Sequence, residues 1–155
     1  MGVSDTRAQA LEDHGQALTH ATWLHHVGQE YGFLSIHQVG LRSGDRREWN
    51  RARRDTAWST TDLTLPGSIR TQIGEKPVYV SVDIDVLDPA HAPGTGCPEP
   101  GGVTFRELAG FLYSLEGLRV VALDVMEVSP AHDPANITAA AAAKIVREAI
   151  LLFGI

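Results

Sequence analysis

The chain has a single cysteine, Cys97, among its 155 residues. One cysteine cannot form an internal disulfide, so a disulfide-stabilised scaffold is excluded and a reducing compartment is expected. Long hydrophobic runs are also missing: no apolar stretch could cross a bilayer, and the first residues lack a secretory-signal pattern. These absences predict a cytoplasmic protein without a membrane partner.

Positive charge is scarce, with 13 Lys and Arg against 19 Asp and Glu, which gives a net charge of −6. An acidic chain of this kind is not expected to bind nucleic acid. The hydrophobic fraction of 43% and the charged fraction of 21% are those of an ordinary globular domain with a real core. We therefore expect one domain, residues 1–155.

Helical and strand patterns alternate along the chain. Helices are predicted at residues 18–30, 46–58, 66–73, 104–114 and 137–153, and strands at 33–41, 78–87 and 119–125. Thr104 with Glu107 three residues later forms a capping-box signature at the start of one helix. Strands separated by helices predict an α/β fold with three layers, α/β/α, around a mainly parallel sheet.

The most informative segment is the run VYVSVDIDVLDP at residues 78–89, in which a buried-strand pattern contains Asp83 and Asp85. Residues two apart on a strand project to the same side, so the pattern predicts two carboxylates that face one point. Such a pair is costly to bury unless a cation lies between the carboxylates. We interpret the pair as a metal site. The alternative is a pair of capping or loop aspartates beyond the strand.

A third carboxylate, Glu127, follows the next buried strand. Ligands bind at the carboxyl ends of parallel strands, so Asp83, Asp85 and Glu127 are expected at one edge of the sheet. On the residues alone, Glu127 is equally well interpreted as an exposed residue that begins a loop, because Ser129 and Pro130 follow at once.

Several segments along the chain, including the one that contains Asp83 and Asp85, belong to one larger sequence pattern. They are residues 81–89 (SVDIDVLDP), 93–96 (PGTG), 98–102 (PEPGG), 124–130 (DVMEVSP), Asp133 with 137–139, and upstream 19–21 and 38–43. Together they closely resemble the ureohydrolases, the family of arginases, agmatinases and their relatives. The resemblance covers nearly the whole chain and implies part of the ureohydrolase fold, its C-terminal half. Cys97 stands where a threonine is common in that family.

The resemblance implies two Mn²⁺ ions held by six ligands in three motifs. Asp83 matches the ligand that bridges both ions, and Asp85 matches a ligand of one ion. Asp5 matches the last aspartate of the middle motif, whereas Met1 and Val3 stand where that motif has a carboxylate and an imidazole. The first motif is absent. The expectation is therefore a truncated chain, begun inside the middle motif, with an impaired site.

The resemblance also implies an activity: hydrolysis of a guanidino compound to urea and an amine by a homo-oligomeric enzyme. Glu127 would bind the guanidinium, and His20 matches the family histidine that passes protons at the mouth of the site. Without the resemblance, His20 is interpreted as a partly exposed helix residue. The segment between Asp5 and His20 lacks the Ser-Gly-Asn pattern of arginases, so agmatine, which gives putrescine, is favoured over arginine. Guanidinobutyrate and similar acids stay open.

Two other classes of function remain. Asp83 and Asp85 also fit a haloacid-dehalogenase-type phosphotransferase, as nucleophile and acid/base. That fold requires a lysine downstream, and the only later one, Lys144, lies in the last predicted helix. The other class is a non-catalytic remnant or interaction subunit, which weak or absent metal binding would distinguish from a working hydrolase.

Overall fold

The computed structural model describes residues 2–3 and 18–155. Within these residues, five parallel strands form one sheet in the order β3-β2-β1-β4-β5. The strands are β1 (Gly2–Val3), β2 (His37–Val39), β3 (Trp58–Ser59), β4 (Val78–Asp83) and β5 (Val120–Met126). The predicted α/β class with a parallel sheet is confirmed.

Five α-helices occur within residues 18–155 and connect or follow the strands: α1 (Trp23–Tyr31), α2 (Arg46–Asp55), α3 (Gly67–Ile73), α4 (Phe105–Ser114) and α5 (Ile137–Phe153). In the sheet, β2 and β3 lie on one side of β1, whereas β4 and β5 lie on the other side. Because crossovers between parallel strands are right-handed, α1 and α2 lie on one face of the sheet and α4 lies on the other. Among residues 18–155, none of these helices has the length and hydropathy of a membrane span.

Capping boxes start two of the helices. At α4 the hydroxyl of Thr104 accepts from the Glu107 amide at 3.2 Å, and the Glu107 carboxylate accepts from the Thr104 amide at 2.7 Å. Asp45 and Glu48 make the same reciprocal pair at α2. Each box satisfies amides that the first helical turn would otherwise leave unpaired. The capping box predicted at α4 is confirmed.

One face of β4 carries the main core. Alternate residues Val78, Val80 and Val82 are buried against apolar side chains of α4 and α5, among them Leu112 and Ile145. A slip of one residue would turn this apolar stripe away from the core and expose it. The core thus fixes the register of β4 and with it the residue at which the strand ends.

Three predicted elements that precede β4 differ from the structure by several residues. The predicted helix at 18–30 starts only at Trp23, because Thr19 and Thr22 close a hydrogen-bonded turn before it. The predicted strand at 33–41 begins with a 3₁₀ turn, Phe33–Ser35, and becomes extended at β2. The predicted helix at 46–58 ends at Asp55, since Trp58 pairs with His37 in β3.

Candidate active site

The carboxyl ends of β4 and β5 bring three acidic residues to one edge of the sheet. Asp83 ends β4 and lies in register with Met126, the last residue of β5, so that Glu127 follows beside it. Asp85 lies two residues beyond the end of β4. Parallel strands aligned in this way present the residues that follow them to a common ligand.

Asp85 lies beyond the strand, so the prediction that both aspartates project to one side by strand alternation was wrong. Residues Ile84–Val86 form a 3₁₀ turn, and Asp83 caps it by accepting a hydrogen bond from the Asp85 amide at 3.0 Å. The two carboxylates are therefore arranged by a turn rather than by the two-residue period of a strand. We refer to residues 83–87 as the aspartate turn.

The Asp85 side chain is buried, with 3% of the residue exposed. Its Oδ1 has no hydrogen-bond partner among the described residues. Burial raises the pKa of this carboxyl; the hydroxyl of Thr95 and the guanidinium of Arg42 oppose the shift, and the charge of Glu127 adds to it. A buried carboxylate oxygen without a donor is chemically suited to coordinate a divalent cation.

The side chain of Thr95 lies near the Asp85 carboxyl but belongs to a different segment. We call this segment, residues 89–102, the Pro/Gly loop. It is 4% exposed and forms an antiparallel bridge with Val128. The Ser129 amide donates to the Gly94 carbonyl at 2.8 Å, which fastens the loop to the chain leaving β5. Thr95 lies within the PGTG segment of the family resemblance, but the sequence analysis did not assign it to the site.

Hydrogen bonds at the start of α5 anchor the Pro/Gly loop. The Gly94 amide donates to the hydroxyl of Thr138 at 2.7 Å. Asp133 accepts from the amides of Thr138 and Ala139 at 2.9 and 2.8 Å. A methyl group on Gly94 would overlap Asp133, including its Cα at 2.6 Å. Loop, helix start and the end of β5 therefore pack as one unit around Thr95.

Asp88 closes the other end of the Pro/Gly loop. Its carboxylate accepts from the amides of Ala90 at 2.9 Å and Gly101 at 2.8 Å, and these bonds hold its pKa below the usual range. A Cβ on Gly102 would lie 2.5 Å from the carbonyl carbon of Leu87, so only glycine fits there without movement. The loop thus folds back onto the aspartate turn.

Arg42, which follows β2, touches both segments. Its guanidinium donates to the carbonyls of Val86 at 3.2 Å, Asp85 at 3.0 Å and Glu99 at 2.8 Å. The next residue, Ser43, donates its hydroxyl to the Glu99 carboxylate. Arg42 falls within a segment of the family resemblance, yet nothing in the sequence assigned it a contact.

Glu127 has an unusual backbone. Its φ is 67°, in the left-handed region that residues with a Cβ seldom adopt. Its side chain is half-buried at the edge that Asp83 and Asp85 share. Backbone strain of this kind concentrates at functional sites, where the surrounding structure holds it in place.

Two predicted site residues are not brought into this cluster by any described contact. His20 is exposed in the connection between β1 and α1, and within the described chain no hydrogen bond or ion pair joins it to the three carboxylates. Asp5 lies outside the described residues. Across residues 2–3 and 18–155, no three Asp, Glu, His or Cys side chains form a candidate metal cluster.

Comparison with known proteins points to one family. Residues 4–152 match the model of the Arginase family. An agmatinase from Bacillus cereus is 37% identical over 141 residues, which cover 88% of this chain and 49% of the agmatinase. The mitochondrial guanidino acid hydrolase of Homo sapiens is 35% identical over 158 residues, covering 94% of this chain and 44% of that protein.

A solved structure agrees in fold. The proclavaminate amidino hydrolase from Streptomyces clavuligerus superposes with a TM-score of 0.79 and 35% sequence identity, over 98% of this chain and 55% of the other. The chain spans about half the length of the curated relatives it matches, as the 49% coverage of the Bacillus agmatinase shows.

Proposed function

The chain belongs to the arginase family, and on that basis we propose that it supplies the carboxylate edge of a site that hydrolyses a guanidino compound to urea and an amine. The observation that supports the proposal is the position of Asp83, Asp85 and Glu127 at or just beyond the carboxyl ends of two adjacent parallel strands. The buried, unpaired Oδ1 of Asp85 adds to it.

Asp83 and Asp85 are the residues that would hold manganese, together with Asp5. Carboxylate oxygens suit a hard or borderline divalent cation, and the buried Asp85 oxygen is the kind of donor that such an ion binds. Asp5 follows β1 by two residues, and Val3 of β1 pairs with Val82 of β4. When bound, a pair of Mn²⁺ ions supplies Lewis-acid activation of water.

Glu127 would orient the substrate. A guanidinium is planar and delocalised, so its carbon is a poor electrophile and must be held in position for attack. A carboxylate that accepts two of its N–H groups fixes both its plane and its distance. The left-handed backbone at Glu127 supports this role, because backbone strain of this kind is retained mainly at functional sites.

His20 would deliver a proton to the departing amine. It belongs to the segment that leaves the carboxyl end of β1, and β1 lies next to β4 in the sheet. This connection therefore starts at the same edge as Asp83. A histidine exposed to water, as His20 is, can exchange its proton between catalytic cycles.

Agmatine is the substrate that we propose first. One relative carries the name agmatinase, and the segment between Asp5 and His20 lacks the arginase Ser-Gly-Asn pattern. Another relative is named a guanidino acid hydrolase, so guanidino acids are the second candidate. The phosphotransferase interpretation has no structural support: Lys144 pairs with Glu148 on α5 at 2.5 Å.

A chimaera tests the proposed function. The part of this chain that aligns with the Bacillus cereus agmatinase, over 141 residues, would replace the corresponding segment of that enzyme. We expect this chimaera to release urea from agmatine when manganese is present. An inactive chimaera that folds and binds manganese normally would refute the proposal.

Two variants of the chimaera separate the proposed roles. Asp83→Ala should abolish both manganese binding and turnover, whereas Glu127→Gln should leave manganese bound. A hydrogen bond to a charged group contributes about 1.5–3 kcal/mol, so Glu127→Gln should lower kcat/KM by about 10- to 100-fold. Loss of manganese from Glu127→Gln would contradict its assignment to the substrate.

The 155-residue chain by itself should be nearly inactive in the same assay. Asp5, Asp83 and Asp85 are the carboxylates that match the family ligands, and three carboxylate groups leave two ions under-coordinated. Robust urea release by the purified chain with manganese, abolished by Asp83→Ala, would show that other residues complete the site.

A further inference from the structure

We propose that Arg42 is a positioning residue, which holds the aspartate turn against the Pro/Gly loop and thereby aims Asp85 at the cation. This inference rests on the proposed function for its purpose. The structural part of the inference, that one side chain from the segment after β2 supports the aspartate turn, can be measured separately.

The hydrogen bonds of Arg42 on which this proposal rests are donated to three backbone carbonyls. One guanidinium nitrogen, Nη2, donates to the Asp85 carbonyl at 3.0 Å and to the Glu99 carbonyl at 2.8 Å; the other, Nη1, donates to Val86 at 3.2 Å. Two consecutive carbonyls of the turn are thus tied to the middle of the Pro/Gly loop. The peptide groups on the carboxyl side of Asp85 cannot rotate without breaking these bonds.

An arginine is chemically required for this arrangement. Its planar fork presents several N–H donors in fixed directions, whereas a lysine ammonium is a point donor on a flexible stem. Arg42 also carries a positive charge close enough to the buried Asp85 carboxyl to interact with it electrostatically. The same side chain therefore supplies both geometry and compensating charge to Asp85.

The residues that precede Arg42 are held in place by burial and by a backbone hydrogen bond. Leu41 is fully buried, and its amide donates to the Thr60 carbonyl at 3.1 Å. Gly40 has a φ of 75°, and a Cβ there would lie 2.8 Å from Val86 Cγ2. The chain leaving β2 therefore approaches the aspartate turn closely, and Gly40 makes that approach sterically feasible.

The test uses the 155-residue chain with Mn²⁺ alone as the probe. Backbone amide signals of residues 83–87 and 127 are followed by NMR, since paramagnetic broadening detects weak as well as tight binding. Amide hydrogen exchange in residues 85–87 reports the order of the turn without metal. The variants are Arg42→Met, which removes fork and charge, and Arg42→Lys, which keeps the charge.

Arg70→Met is the matched control. Arg70 also donates to backbone carbonyls, those of Ser114 at 2.7 Å and of Glu116, but these lie at and just after the end of α4 rather than at a strand end with carboxylates. The substitution is identical and removes the same kind of contact. A general loss of stability would affect both variants, whereas a positioning role predicts an effect at Arg42 alone.

We expect Arg42→Met to weaken Mn²⁺ binding by about tenfold or more, as is typical for residues that orient a ligand, with faster exchange at residues 85–87. Arg42→Lys should recover part of the affinity and none of the protection from exchange. Arg70→Met should change neither. If Arg42→Met does not fold, Arg42→Lys carries the same test through its exchange rates.

Wild-type affinity in Arg42→Met, full recovery of the exchange protection in Arg42→Lys, or an equal loss in Arg70→Met would overturn the proposal. If the wild-type chain shows no Mn²⁺ broadening at residues 83–87, the proposed metal chemistry fails. The exchange rates in the Arg42 variants then still decide whether Arg42 holds the turn.

Discussion

At the scale of single residues, the buried Asp85 should make the metal-free chain less stable at neutral pH. Its pKa in the folded chain is raised above the ordinary value of 3.8, first of all by burial. Folding therefore favours the protonated carboxyl. The contribution of Asp85 to stability is fully present below the ordinary value and is lost as the pH rises through the folded pKa.

The prediction concerns Asp85→Asn in the presence of a chelator. The variant should melt at a higher temperature than the wild type at pH 7, and the difference should shrink as the pH approaches 3.8. Thermal unfolding across this range measures it, with Asp62→Asn, at an exposed position, as the control. A difference that does not depend on pH would contradict the argument.

Glu127 offers a second prediction at this scale. A left-handed backbone costs a residue with a Cβ about 1–2 kcal/mol, which glycine does not incur. Glu127→Gly should therefore stabilise the fold by up to about 1 kcal/mol, after the greater flexibility of glycine in the unfolded chain is subtracted. Denaturant unfolding checks this. Glu127→Gln, with the same backbone preference, should leave stability nearly unchanged.

Among the elements, those with strong local signals could be predicted from the sequence. The capping box of Thr104 and Glu107 and the apolar stripe of α5 gave correct helices, because both signals lie within a few residues. Strands β1 and β3 were not predicted. Each has two residues, too few for alternation to be recognised, and each forms only because longer strands lie beside it.

The candidate site likewise has one part that could be predicted from the sequence and one part that could not. Asp83 and Glu127 could be placed from the sequence, since both follow long apolar runs that end at the same edge of a parallel sheet. The contacts of Thr95 and Arg42 could not. They depend on where the Pro/Gly loop and the end of β2 meet the aspartate turn, and no local pattern encodes such a meeting.

The unit formed by the Pro/Gly loop and α5 leads to a prediction about Gly94. Gly94→Ala would push a methyl group into Asp133 and should destabilise the chain by about 1–3 kcal/mol, as overpacking does elsewhere. Gly96→Ala is the matched control, because a methyl group there meets no atom within 4 Å. Unfolding in urea measures both. Equal effects would show that the loop is not packed as described.

At the scale of the whole molecule, the described residues expose apolar surface in a groove and along an edge strand. A groove of about 580 Å³ opens between α1 and the sheet. Its lining includes Trp23, Tyr31, Leu34, Ile36, Val78 and Tyr79. Strand β5 is an edge strand of the described sheet, seven residues long. Long uncovered edges and apolar grooves both favour association with other chains.

We therefore predict that the 155-residue chain self-associates, and that β5 contributes. A charge on an edge strand opposes pairing, so Val121→Lys should shift the chain towards monomer in sedimentation velocity. Val121 is 48% exposed, and Val146→Lys, at a 41% exposed position on α5, is the control. A wild-type chain that sediments as a clean monomer and melts sharply and reversibly would contradict the prediction.

The two-residue strand β1 has a consequence for folding. Gly2 pairs with Gln38 on one side and with Ser81 on the other, so β1 joins a ladder of β2 and β3 to a ladder of β4 and β5. Closing the second pairing spans roughly half the chain, whereas β4, α4 and β5 are contiguous and can assemble first. The sheet therefore consists of two cooperative units with a narrow seam. A cation shared between the tips of β1 and β4 would bind only when the seam is closed, so the concentration of the ion would set how tightly the two units hold together.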